Sequence, residues 1–361
     1  MKQYIYGLVI IYVIGICSLS SDAVEKLTIT AVGDIMMGTT YPEELLPPKD
    51  GIGIFDQVRD KLGGSDIVLG NLEGPLTESG GQTKCRDDDE NCFAFRTPPR
   101  YADYLRAAGF NVINISNNHV GDFGKQGIEN TRTCLMSVNI SPVGGKYVAL
   151  INVKGKKVAV AGFSFMPVSD YSYSINNILR ASEIVNELKK SNDIVIVSFH
   201  GGAEGKSALY VTGKEEEFLG EKRGNVREFA HAVVDAGADA VFGHGPHVLR
   251  AMELYRGRLI AYSLGNFLTY KRFNIDGESG ISMILKIRLD PETGKFAGGE
   301  IIPVKLVGEG LPIIDGNREA IKLIKRLTLE YSASSKLTIE DSGFVVRITG
   351  KQKISTVRTD H

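Results

Sequence analysis

Residues 237–249 read GADAVFGHGPHVL, and this stretch decides how the rest of the chain is interpreted. A short apolar run ends at Gly-His-Gly-Pro-His, which predicts a buried strand followed by a loop that carries His244 and His247. The chain has six histidines, and two others, His119 and His200, also follow short apolar runs. In open α/β sheets, ligands bind beyond the carboxyl ends of the strands, where we expect these four histidines.

Outward from this stretch, short β-branched runs alternate with helical patterns, which is typical of βαβ units in a mainly parallel sheet. We predict strands over residues 27–32, 67–69, 112–115, 158–163, 194–199, 240–242 and 259–263. We predict helices over residues 55–62, 101–108, 128–138, 181–190 and 226–236. Further on, the patterns predict a hairpin of residues 281–289 and 299–306, a helix over 318–331 and a strand over 344–348.

The size and composition are those of an ordinary globular protein. The 361 residues include 42 basic and 43 acidic side chains, so no overall field attracts nucleic acid, which we do not expect as a partner. We expect one α/β domain over residues 26–270. A small α+β extension, residues 275–361, is expected to pack on its edge as a hairpin, helix and strand.

The first 21 residues differ from the rest of the chain. Residues 3–21 carry no charge, and residues 4–17 are apolar apart from two glycines. An apolar core of 14 residues fits a secretory signal peptide, at about 7–15, and is shorter than the ~20 that span a bilayer. We therefore expect residues 1–21 to be a signal peptide and the protein to be exported to the periplasm or cell surface. The alternative is an uncleaved membrane anchor.

Cys85 and Cys92 bracket the polar, acidic segment RDDDEN. Because disulfides persist outside the cytoplasm, export predicts that these two cysteines pair and close a surface loop. Two alternatives concern the acidic residues 87–90, which either form a hard-cation site or are a solvated run of charge.

Polar residues of unusual type follow five of the predicted strands. They are Asp34; Asn71 and Glu73; Asn117, Asn118 and His119; His200; and His244 with His247. Each alone has a structural explanation as a helix cap, a turn residue or a histidine bonded to backbone. Together, at one edge of one sheet, they predict a site for one or two divalent transition metals, Mn, Fe or Zn. Such ions lower the pKa of bound water from 15.7 toward about 7, which points to hydrolysis of a phosphate ester or related bond.

Seven ordered segments carry a resemblance to a known family. They are VGDIMMG (32–38), DIVLGNLEGPLT (66–77), FRTPPRYADYL (95–105), SNNHVGDFGKQGIENT (116–131), SFHGGAEG (198–205), GADAVFGHGPHVL (237–249) and LIAYSLGNF (259–267). Together they resemble the bacterial capsule-synthesis CapA family, associated with poly-γ-glutamate, within the calcineurin-like metallophosphoesterase superfamily. The resemblance covers roughly residues 27–268. It implies a four-layer α/β/β/α sandwich with a metal site at the strand ends.

The resemblance also implies roles for individual residues. The implied metal ligands are Asp34, Glu73, Asn118, His200, His244 and His247. His119 is implied to stabilise or protonate the leaving group, and Asp122 either orients His119 or caps the following turn. The chain also departs from the superfamily pattern. Met36 stands where the first motif has a histidine, and His244 and His247 are three residues apart instead of two. The number of metal ions therefore stays open.

Four further residues are predicted to line the substrate cleft: Asn71, Arg96, Arg223 and Asn266. Arginines can hold an anionic substrate by forked hydrogen bonds, although a surface arginine or a structural turn is the alternative for these positions. The sequence thus predicts an exported metal-dependent hydrolase of capsule, poly-γ-glutamate or envelope polymer metabolism. Its substrate would be an anionic polymer or a phosphate-containing small molecule. The alternatives are a non-enzymatic polymer-binding or export component, in a capsule synthesis membrane complex, and a metal-dependent amidase or peptidase.

Overall fold

The computed structural model describes residues 25–86, 92–332 and 336–348. The predicted signal peptide, the acidic residues 87–90 and the last residues of the C-terminal extension lie outside this part of the chain. Within it, no helix is long and apolar enough to cross a membrane.

The strands in the described ranges, in chain order, are β1 (Leu27–Met36), β2 (Ile67–Leu72), β3 (Val112–Asn114), β4 (Ser141–Val143), β5 (Ala149–Val153), β6 (Lys156–Ser164), β7 (Tyr173–Ser174), β8 (Ile194–His200), β9 (Glu216–Phe218), β10 (Glu221–Gly224), β11 (Ala240–His244), β12 (Met252–Tyr255), β13 (Arg258–Ala261), β14 (Asn266–Thr269), β15 (Ile281–Leu289), β16 (Phe296–Val307), β17 (Leu311–Ile314), β18 (Leu337–Ile339) and β19 (Phe344–Arg347). The α-helices are α1 (Arg59–Leu62), α2 (Tyr101–Ala108), α3 (Gly124–Ser137), α4 (Ile178–Ser191), α5 (Val226–Asp235) and α6 (Glu319–Tyr331). Every strand and helix predicted from the sequence is present, with shifted ends and a shorter first helix.

Two large sheets form the centre of the molecule. The first has the order β18-β19-β16-β15-β1-β2-β3-β4, with β14 beside β1 and β17 beside β16. The second has the order β12-β13-β11-β8-β6-β5, with β7 beside β6. Strands β1 to β4 run parallel, and so do β6, β8, β11 and β13. The parallel strands of each sheet therefore end at one edge.

The alternation of side chains along the strands explains why the sheets stack. On β8, Ile194 and Ile196 belong to the core between the two sheets, whereas Val195 and Val197 pack against α4 and α5. On β1, the residues that face the second sheet alternate with Val32, which joins a third core beneath α1, α2 and α3. Both faces of each sheet are covered, as parallel strands require. The molecule is the four-layer α/β/β/α sandwich that the resemblance implied.

Helix α5 shows how its sequence selects this position. Its apolar residues, spaced three and four apart, are buried against the second sheet. The side chain of Asn225 caps the first turn by accepting a hydrogen bond from the Glu228 backbone N–H, 3.2 Å away. After the helix, Gly237 adopts a φ of 121°, which side chains rarely tolerate, and leads the chain into β11.

The C-terminal extension shares the first sheet. Strand β15 pairs antiparallel with β1 over Leu27 to Ala31, and α6 buries Ile321, Ile324 and Leu327 in the core between the sheets. The chain division near residue 270 therefore falls within one continuous sheet. A separate extension from residue 275 remains a prediction.

Candidate metal centre

The strand ends bring two rows of polar residues together. On the first sheet, matched positions of β14, β1, β2 and β3 carry Asn266, Asp34, Asn71 and Asn114. On the second sheet, His200 and His244 are paired at the ends of β8 and β11. The two rows meet across the sandwich, because Asp34 Oδ1 lies 3.6 Å from His244 Nδ1.

The side chains of Asn71, Asn114 and Asn117, here called the amide network, are fully occupied by protein partners. Asn71 Nδ2 lies 2.8 Å from Asp34 Oδ1 and 3.2 Å from His200 Nδ1. Asn71 Oδ1 accepts hydrogen bonds from Asn114 Nδ2 and Asn117 Nδ2 at 3.0 and 3.1 Å. Asn71 thus contacts one residue from each sheet, and its contact with a substrate stays a prediction.

Glu73, Asn118, His200 and His244, here called the open cluster, present buried atoms without hydrogen-bond partners. These atoms are Glu73 Oε1 and Oε2, Asn118 Oδ1, His200 Nε2, and both ring nitrogens of His244. Unpaired buried polar atoms are rare and costly, so six on residues at or just after the strand ends require an explanation. Carboxylate, amide oxygen and imidazole are the donors that suit Mn, Fe or Zn, so these residues fit a bound divalent cation.

Burial keeps both paired histidines neutral, which is the form that binds metals. It lowers the pKa of His244 to about 4 and that of His200 well below its usual range, although the Asp34 charge opposes both shifts. The contact with Asn71 puts the proton of His200 on Nε2, which faces Glu73 Oε1 at 3.4 Å. A cation between His200 and Glu73 would displace that proton.

Asp34, Glu73 and His247 form a second group of ligand atoms, all within 4.8 Å of one another. Burial favours a neutral Asp34, but the hydrogen bond and charge of His247 outweigh it and lower the pKa of Asp34 to about 2. Burial and the neighbouring Asp34 charge raise the pKa of Glu73 well above its usual range. Burial lowers the pKa of His247, yet Glu73, Glu204 and Asp34 raise it to about 10. Without a cation, His247 therefore serves as the positive charge of the site.

Glu204 is a site residue that the sequence analysis missed. Its Oε2 lies 3.8 Å from His247 Nε2, and its Oε1 accepts a hydrogen bond from Arg223 Nη1 at 2.8 Å. On the other side of the ring, His247 Nδ1 lies 3.1 Å from both Asn266 Oδ1 and Asp34 Oδ2. Glu204 and Asn266 therefore fix the orientation of His247, and Arg223 holds Glu204. The sequence feature that could have identified Glu204 is its position in SFHGGAEG, four residues after the candidate ligand His200.

His119 lies beside the open cluster with its own set of partners. Its Nδ1 is 3.0 Å from Asp122 Oδ2, and its ring stacks on Phe95 at 4.4 Å. Burial lowers the pKa of His119, and the attraction of Asp122 offsets this only in part. Lys84 Nζ lies 2.6 Å from Asp122 Oδ1 and donates to the Asn118 carbonyl at 3.0 Å. Asp122 thus contacts the His119 ring, and its role in orienting His119 for catalysis stays a prediction.

Comparison with known proteins identifies the family. Residues 28–271 match the family model described as Bacterial capsule synthesis protein PGA_cap. The chain belongs to this family. It is 28% identical to the PGA biosynthesis protein CapA of Bacillus subtilis (strain 168), over 92% of this chain and 85% of the relative. It is also 28% identical to the capsule biosynthesis protein CapA of Bacillus anthracis, over 92% of this chain and 80% of the relative.

This PGA_cap chain is also similar, more distantly, to solved structures. One is described as a novel phosphatase from Mycoplasma pneumoniae, with a TM-score of 0.47 and 15% identity, covering 83% of this chain and 99% of that one. Another is a putative 5'-nucleotidase from Staphylococcus aureus, with a TM-score of 0.43 and 15% identity, covering 84% of this chain and 58% of that one.

The remaining predicted residues of this PGA_cap chain lie around the centre. The guanidinium of Arg96 lies 3.8 Å over the Phe123 ring and donates to the Gly80 carbonyl at 3.1 Å, so its contacts are with a loop. Met36, at the position of the missing histidine, is fully buried. Cys85 and Cys92 form the predicted disulfide, with their Cα atoms 5.5 Å apart.

Proposed function

We propose that this PGA_cap chain is an exported, metal-dependent hydrolase of phosphate esters or related bonds in capsule or envelope polymer metabolism. The observation that carries the proposal is the open cluster, whose unpaired buried oxygens and nitrogens fit a divalent cation. The two Bacillus relatives, described as proteins of PGA and capsule biosynthesis, support the process. The charge-free N-terminal segment and the Cys85–Cys92 disulfide support export.

In this proposal, Glu73, Asn118, His200 and His244 would hold a cation, with Asp34 and His247 completing the site. When bound, such a cation would supply an activated water and neutralise negative charge developing on the substrate. His119 would face the leaving group through Nε2, because Asp122 takes the Nδ1 side of the ring. Protonation of the leaving group would require the imidazolium form of His119, which Asp122 favours and burial opposes. Phe95 stacks on His119 and Phe273 lies 4.6 Å from His247, so both rings are shielded from water on one face.

The test combines metal analysis with a substrate screen on protein that lacks residues 1–21. The native protein should retain a divalent transition metal, and His200→Ala should lose it. His231→Ala is the matched control, because His231 pairs with Glu253, outside the centre, and should leave the metal in place. Native protein with no metal above background would overturn the proposal. Recovery of the full chain from the cytosol alone would contradict export.

The screen covers phosphodiesters, phosphomonoesters and γ-glutamyl peptides. His119→Ala should keep the metal and reduce turnover by about 10²–10⁴-fold. One observation favours a second candidate, a non-enzymatic polymer-binding component: the fully buried Met36 replaces one expected ligand. Metal retention without turnover of any substrate would favour that candidate. Turnover of γ-glutamyl peptides alone would make the enzyme an amidase.

A further inference from the structure

A cavity of about 430 Å³ lies at the end of the sandwich opposite the metal centre. Its wall includes Arg256 and Gly257, in the turn that precedes β13. Strand β13 runs parallel to β11, whose last residue is His244. At about 3.3 Å per residue, the turn is ~16 Å from the histidine row, so the cavity is separate from the centre.

Four cations line this cavity, here called the basic cavity: Arg256, Lys295, Lys336 and Arg347. Arg256 Nε is held by Asp235 at 2.9 Å. Among the described residues, the other three have no carboxylate within ion-pair distance, whereas many lysines and arginines elsewhere are paired. The three come from separate parts of the chain, the β15–β16 turn and the strand pair β18–β19 with its flanks. Folding therefore builds a positive site in a protein whose net charge is −1.

Glu253 is the one carboxylate in the wall of the basic cavity, and it is engaged elsewhere. Its Oε2 accepts hydrogen bonds from Tyr262 Oη at 2.7 Å and Tyr331 Oη at 3.2 Å. These partners hold the carboxylate against the buried side of the wall. The positive charge of the cavity is therefore left for a ligand.

We propose that the basic cavity binds a run of carboxylates on an anionic polymer. Four cations from separate parts of the chain line one cavity, which fits charges spaced along a chain better than a single phosphate. A volume of about 430 Å³ is within the usual range of ligand sites. The polymer identity rests on the proposed function. The site holds the polymer at one end of the molecule while the metal centre acts at the other.

Binding of fluorescently labelled poly-γ-glutamate to the full chain tests this assignment by fluorescence anisotropy. The double variant Lys336→Gln/Arg347→Gln should bind about 10-fold more weakly. The control Lys322→Gln/Lys325→Gln removes the same charge from α6, outside the cavity, and should bind like the native protein. Equal thermal unfolding of both variants confirms intact folding. Excess inorganic phosphate at the same ionic strength should compete poorly.

Three results would overturn the assignment: no binding by the native protein, equal weakening in both double variants, or full competition by inorganic phosphate. Turnover of a small ester at the metal centre should be the same in both double variants. Native protein that turns over the ester but does not bind the polymer would mean that this inference fails and the proposed function holds. Native protein that binds the polymer but turns over no ester would mean that the proposed function fails.

Discussion

The amide network and the open cluster are in contact with each other in the protein interior, but the side-chain polar atoms of the first have hydrogen-bond partners and six of those of the second do not. Asn71 uses every donor and acceptor of its side chain, whereas His244 uses none. Each unpaired buried group costs roughly 1–3 kcal/mol, so the open cluster destabilises the metal-free protein and the amide network stabilises it. The amide network thus positions Asp34 and His200 without an ion, and under the proposed function the unpaired neighbouring atoms would bind one.

The largest expected effect is on the free energy of unfolding, which matched substitutions by leucine in the two regions should change by different amounts. Asn71→Leu strands atoms of Asp34, His200, Asn114 and Asn117, so we expect it to lower the free energy of unfolding of the metal-free protein by about 2–4 kcal/mol. His244→Leu removes two unpaired nitrogens at similar volume, so we expect a change within about 1 kcal/mol. Urea unfolding in the presence of a chelator measures both, with unchanged m-values as the check on two-state behaviour.

Addition of the metal should separate His244→Leu from the native protein. At a metal concentration 100 times its Kd, the native protein should gain about 2.7 kcal/mol, and His244→Leu should gain almost nothing. Equal destabilisation by both leucine variants without metal would mean that the open cluster is as well satisfied as the amide network. The distinction between the two regions would then be wrong.

A second prediction concerns Glu204, which is not a proposed metal ligand but lies 3.8 Å from the ring of the proposed ligand His247. Because Glu204 faces the Nε2 side of His247, its loss should free the ring and weaken metal affinity by about 10- to 100-fold in Glu204→Ala. Glu204→Gln keeps an oxygen acceptor and should lie between Glu204→Ala and the native protein. Competition with a chromogenic chelator measures the affinity without any activity assay.

The control for Glu204 is Glu215→Ala, which removes an exposed carboxylate paired with Lys222 at 3.4 Å. This control should retain native metal affinity. A Glu204→Ala variant with the same affinity as Glu215→Ala would show that Asn266 and Asp34 alone orient His247.

The strand ends could be predicted because their signals are local. A β-branched run followed by Asp34, His200 or His244 is visible in a few residues, and parallel strands must end together. The pairing of Asn266 with Asp34 could not be predicted, since β14 approaches β1 only where Gly33 lacks a side chain: a Cβ there would lie 1.9 Å from the Gly265 carbonyl oxygen.

Contacts between segments that are distant in sequence could not be predicted either. Asn114 joins the amide network because its register on β3 matches that of Asn71 on β2, and register is a property of the assembled sheet. The guanidinium of Arg223 reaches Glu204 and Glu221 at 2.8 Å each, contacts that the sequence did not indicate, and its contact with substrate stays a prediction. A charge's partner depends on loop geometry, which local sequence patterns do not encode.

The smallest expected effect concerns the link between the open cluster and His119. Lys84 contacts Asp122, the partner of His119, through Oδ1, and it also donates to the carbonyl of Asn118 in the open cluster. Lys84→Met should therefore loosen His119 while every proposed metal ligand remains. We expect kcat to fall by about 3- to 10-fold, or ~0.6–1.4 kcal/mol, with KM and metal content unchanged. Lys84→Arg should restore most of the loss because it keeps the charge, and Lys125→Met, an exposed lysine on α3, should have no effect. A fall in metal content in Lys84→Met would instead place Lys84 among the supports of the ligand Asn118.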